Sequence, residues 1–82
     1  MITVIGSVTF DGSKITLNTF GNDDRDTRRR INLVAKDWRL GFKVYRERGI
    51  SKVCILNPDN TPYLNVGPLV DRMTFNTILH PR

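Results

Sequence analysis

The sequence predicts an α+β fold: an antiparallel sheet of two β-hairpins with one central basic amphipathic helix packed on one face, in the order ββαββ(β). Three observations predict it. Apolar residues alternate on either side of Asp11-Gly12, a helical period takes over after Asp24, and short β-type runs return around Asn57-Pro58-Asp59-Asn60. The 82 residues, 39% of them apolar, suit a single domain spanning 1–82 with one small core. No internal repeat and no low-complexity stretch interrupts it.

The first twenty residues read as a hairpin. Asp and Gly tolerate the positive φ that a two-residue turn demands, so Asp11-Gly12 is taken as the turn. With Phe10 opposite Ser13, Val8 faces Ile15, Gly6 faces Leu17 and Val4 faces Thr19, which gathers the apolar residues of both strands on one face. Thr3, Ser7, Thr9, Lys14, Thr16 and Asn18 fall on a wet face, with Ile5 as its exception.

Gly21-Asn22-Asp23-Asp24 is a polar loop, and Asp26 or Thr27 is read as the cap of a helix over 27–48 with Gly49 as its stop. At 100° per residue, Ile31, Val34, Ala35, Trp38, Phe42 and Tyr45 share one arc, the face turned to the sheet. Gly41 inside this helix costs about 1 kcal/mol against Ala, so its presence signals close packing or a bend. Residues 52–56 then form a strand, Asn57-Pro58-Asp59-Asn60 a turn, and 61–66 the return strand, closed by Gly67-Pro68. Met73, Phe75, Thr77 and Leu79 alternate as a further strand, with a short helix opened by Pro68 as the alternative.

Charge is unevenly distributed. The net charge is +5 in total. Residues 25–52 hold ten Lys or Arg against three Asp or Glu, a net +7, while 1–24 are net −2 and 53–82 neutral. Such a localised field selects an anionic partner. On the helical wheel Arg28, Arg29, Lys36, Arg39, Lys43 and Arg46 form a ridge beside the apolar arc, and Arg30 joins them in the first turn. Six like charges repel, and cations near a helix N-terminus oppose the macrodipole by about 0.3–1 kcal/mol each. Asp23, Asp24 and Asp26 offset part of that. Arg forks suit phosphate oxygens, so these seven residues are the expected nucleic-acid or anion site.

Opposite the core arc Leu33, Leu40 and Val44 make a minor apolar stripe, a candidate interface for a homodimer or a partner protein unless the C-terminal segment covers it. Phe20 and Tyr63 lie near turns, where they can stack on bases if they adjoin the ridge. Catalysis is not expected. One histidine, His80 near the tail, and one cysteine, Cys54 in an apolar run, cannot assemble a usual zinc site, and no phosphate-binding Gly loop or nucleophile elbow is present. No metal or cofactor is therefore expected. A single cysteine, the lack of a signal-like start and the lack of a long apolar run point to the cytoplasm and away from membranes.

The expectation is thus a small basic binding protein contacting DNA or RNA phosphates through a cationic helix face. The alternative is an accessory factor or inhibitor, of the compact kind viruses use, docking on an acidic or nucleic-acid-accepting groove of a host enzyme.

Overall fold

The computed structural model describes residues 2–22 and 24–81. Two antiparallel sheets and one helix enclose the core, a mixed α+β arrangement with more strands than the predicted two hairpins. The first sheet has the order β1 (Thr3–Ile5), β2 (Val8–Asp11), β3 (Lys14–Leu17), β7 (Met73–Asn76), and the second β4 (Phe42–Glu47), β5 (Ile50–Leu56), β6 (Pro62–Pro68). Helix α1 (Arg25–Asp37) links them.

The first hairpin differs from expectation in register. Gly12-Ser13 is the turn, with Asp11 opposite Lys14, Phe10 opposite Ile15 and Val8 opposite Leu17. Gly12 at the first central position has φ 58°, while Ser13 is not left-handed. Only one residue thus needs positive φ, which glycine meets without strain. The slip amounts to two residues along one strand, so the same apolar side chains stay on the core face. A second departure is the break at Gly6-Ser7, which folds β1 back on β2 with Ile5 opposite Val8. That break turns Val4 outward and brings Ile5 against the core, the reverse of the sequence reading.

Helix α1 is capped by Asp24, whose carboxylate accepts from Thr27 N–H at 2.7 Å, rather than by Asp26 or Thr27. It ends at Asp37, well before the predicted end at Arg48. Arg39, at φ 53°, takes the left-handed position that usually falls to glycine. Arg39 N–H then donates to Lys36 O and Leu40 N–H to Ala35 O, closing the helix as a Schellman motif. The segment read as the second half of the helix is instead strand β4, in which Phe42 and Val44 point inward and Lys43 outward. Of the predicted arc, Ile31, Ala35 and Phe42 are buried. Trp38 is 44% exposed, its ring resting on Phe10 at 5.4 Å, and Tyr45 sits half-buried on β4.

One core serves both sheets. Val8, Phe10, Ile15 and Leu17 meet Ile31 and Ala35 of the helix and Phe42, Val44, Val53 and Ile55 of the second sheet. Phe42 and Phe75, edge to face at 5.3 Å, join the sheets. The predicted β5–β6 hairpin and tail strand β7 are present with other limits: β5 begins at Ile50, β6 runs through Gly67 to Pro68, and β7 ends at Asn76, short of Thr77 and Leu79.

Strand β4 is the outer strand of its sheet, and its free edge meets α1. Asn32 bridges them: its Nδ2 donates to Val44 O at 2.8 Å and its Oδ1 accepts from Val44 N–H at 2.7 Å. A buried edge residue therefore has both main-chain groups satisfied by one side chain. Asn32→Ala is expected to destabilise the protein by about 1–3 kcal/mol, because two paired groups lose their partner together. A urea titration reads it, and an unchanged midpoint would mean that water replaces the bridge at no cost.

Gly41 is buried at the start of β4 with φ 78°, and a Cβ there would run into the Ile78 carbonyl oxygen. Both the positive φ and the close approach of Ile78 call for glycine here, outside the helix in which the sequence reading places it. The segment that packs on it continues to His80, whose N–H donates to Arg39 O at 3.0 Å.

Candidate functional site

The cations of residues 25–46 come together, though not on one helix. Arg25, Arg28, Arg29 and Lys36 recur at three- to four-residue multiples along α1, so they share the side that meets β4. With Leu33 they wall a shallow hollow of about 400 Å³ whose floor is Asn32 and Val44. A second and larger hollow, about 550 Å³, lies where the chain turns from α1 into β4. Lys36 from the last helical turn, Arg39 from the left-handed corner and Lys43 from β4 border it, and Asn32 and Lys36 belong to both hollows. The two form one continuous seam.

Electrostatically the seam is one-sided. Among the described residues no Asp or Glu lines either hollow. Arg28 donates from Nη1 to Ser51 Oγ at 3.2 Å, and Arg46 sits opposite Ser51 in the β4–β5 register, which places Arg46 at the Arg28 end of the seam. Lys43 also lies 5.8 Å from the Tyr45 ring centroid, a weak cation–π contact. Of the seven predicted site residues Arg30 and Arg46 line neither hollow, and Arg30 alone stands away from the seam. It projects from another side of α1, lines neither hollow, and acts on Asp24 instead.

Asp24 is held below its ordinary pKa of 3.8 chiefly by the Thr27 backbone N–H, then by the Thr27 hydroxyl, with smaller help from Arg30 and Arg28. A lowered carboxylate stabilises the fold above its unfolded pKa and loses that effect as pH falls through the folded value. Asp24→Ser keeps a capping oxygen without the charge. The stability gap between wild type and this variant is expected to be constant at neutral pH and to shrink below pH 3.8, as read by circular dichroism melts; a gap independent of pH would remove the charge from the cap.

The apolar stripe does not form. Leu40 and Val44 are core residues, because the chain leaves the helix before reaching them, and only Leu33, 51% exposed, remains at the surface. The proposed interface of Leu33, Leu40 and Val44 is thereby corrected to a single exposed side chain. Phe20 and Tyr63 are exposed but line neither hollow of the seam. Cys54 is buried, its thiol donating to Ile55 O at 3.4 Å. Among the described residues no three His, Cys, Asp or Glu side chains cluster as metal ligands, and no helix is long and apolar enough to cross a membrane.

Three contributors were missed from sequence. Arg25 was legible, since it lies one turn before Arg28 and Arg29 on the same stripe. Asn32 and His80 were not, because each works through a main-chain partner distant in sequence: Val44 for the first, Leu56 and Arg39 for the second. His80 is a half-buried wall residue rather than a loose tail residue.

Against protein-family models, curated proteins and solved structures the chain finds no match.

Proposed function

We propose that the chain is a binding protein without chemistry of its own that follows a nucleic-acid phosphate backbone along the seam between α1 and β4. The observation that carries this reading is the run of cations from Arg25 to Lys43 along two adjoining hollows with no acidic side chain among their described lining residues. From Arg25 to Lys36 a helix rises about 16 Å. One strand of a duplex places a phosphate about every 3.4 Å along its axis, so that length matches about five phosphates. Arg side chains supply forked donors and Lys compact charges, and both types are present here. Bases are left to solvent or to neighbouring surface, which favours backbone contact over sequence readout.

The test is the salt dependence of binding. Fluorescence anisotropy with labelled single- and double-stranded DNA and RNA is expected to give a log–log slope of about −4 to −5 for the favoured form. A flat response, or no binding to any of the four, rejects the reading and leaves an acidic protein surface as the partner to seek.

A further inference from the structure

We propose that the hollow bordered by Lys36, Arg39 and Lys43 is a pocket for one phosphorylated nucleoside, its phosphate held by these cations and its base laid against the apolar part of the lining. The inference goes beyond backbone tracking and does not depend on it. At about 550 Å³ the hollow falls within the roughly 300–1,000 Å³ of small-molecule sites. Its lining is chemically mixed. Three cations from three separate elements share it with the hydrocarbon of Phe42, Leu56 and Pro58, and with the Asn60 amide, which suits a base edge or a ribose hydroxyl.

The walls are fixed before any ligand arrives. The corner of 38–41 is held by Arg39 N–H to Lys36 O, Leu40 N–H to Ala35 O, Leu56 N–H to Gly41 O at 2.9 Å, and His80 N–H to Arg39 O. The His80 ring also bonds Leu56 O at 3.1 Å; a carbonyl only accepts, so Nε2 carries the proton. Preorganised walls spare a ligand the entropy of ordering them.

The charges are not explained by the fold alone. Lys36 and Arg39 sit at the C-terminal end of α1, where cations are favoured by the helix dipole. Lys43 is not. It projects from the exposed face of β4, and among the described residues no carboxylate comes within ion-pair distance of it. Arg39, moreover, occupies a left-handed position that glycine fills more easily. An anion placed between the three relieves their mutual repulsion.

Isothermal titration calorimetry of the full chain tests this with the four common nucleoside 5′-monophosphates, the parent nucleosides and inorganic phosphate. A monophosphate is expected to bind at least about tenfold more tightly than its nucleoside or phosphate alone, and Lys43→Ala and Arg39→Gly each to weaken it about tenfold, the loss of one charge-assisted contact. Arg25→Ala/Arg29→Ala, in the other hollow, is expected to leave mononucleotide affinity unchanged while weakening long strands. Thermal melts of Arg39→Gly, expected no lower than wild type, exclude misfolding as the cause. Comparing a 5′-phosphorylated strand with its dephosphorylated twin separates the two sources of the ligand: tighter binding of the former assigns the pocket to strand ends, equal binding to free nucleotides. Inorganic phosphate binding as well as a monophosphate, or no monophosphate binding at all, overturns the inference. Salt-dependent binding of long strands without any binding of a monophosphate would do so while preserving the seam.

Discussion

Gly41→Ala is expected to lower stability by about 2–5 kcal/mol. Two costs add. A non-glycine residue at φ 78° carries about 1–2 kcal/mol of left-handed strain, and overpacking a tight site adds about 1–3 kcal/mol. The new methyl would overlap the Ile78 carbonyl oxygen, with the carbonyl carbon at 3.1 Å and His80 Cδ2 at 3.3 Å, so backbone rather than a flexible side chain must yield. Domains of this kind hold only about 5–15 kcal/mol in all. Urea unfolding followed by Trp38 fluorescence is the measurement, with the midpoint falling and the slope m unchanged. Arg39→Gly, two residues earlier, should move the other way by up to about 1 kcal/mol, since it removes left-handed strain where nothing blocks the backbone. Equal midpoints for wild type and Gly41→Ala would show that the 78–80 segment is not packed on the corner.

Arg25→Ala/Arg29→Ala/Lys36→Ala is expected to weaken nucleic-acid binding about a hundredfold at 0.15 M salt and to reduce the log–log slope by about 2.7, the share of three released counterions. The effect on folding should be small, because Arg25, Arg29 and Lys36 are exposed and only Lys36 gains from the helix dipole, by about 0.3–1 kcal/mol. Arg30→Ala is the internal control. It removes the same charge from the same helix but from outside both hollows, so its slope should stay near that of wild type. If Arg30→Ala matched a single seam variant in affinity and slope, net charge rather than position would govern binding.

What could be read from the sequence was whatever local chemistry fixes. Asn57-Pro58-Asp59-Asn60 constrains its own turn, and the alternation through Met73 and Phe75 marks a strand wherever it docks. The helix end escaped because its closing residue is Arg39, and arginine announces no left-handed corner. Gly41 did mark the change of direction, but a glycine reads equally as packing or as a break. Once the helix was drawn too long, Leu40 and Val44 fell on its outer side, and a core pair was mistaken for a surface stripe. Most of the predicted cations still lie close together. Lys36, Arg39 and Lys43 converge because the chain doubles back between them, not because they share a helical face. The first-hairpin slip was invisible for a different reason: a two-residue shift keeps every apolar side chain on its side, so pattern alone cannot choose between the registers.

Strand β3 finds its second neighbour only at 73–76, where the hydroxyls of Thr16 and Thr74, 58 positions apart in sequence, meet. Joining such distant stretches carries a loop-closure entropy that nearby hairpins escape. The early meander therefore keeps one flank bare until residues 73–76 arrive to pair with it. Its shelter in that interval is the helix and second sheet growing behind it, and the late strand acts as the latch that ends the exposure.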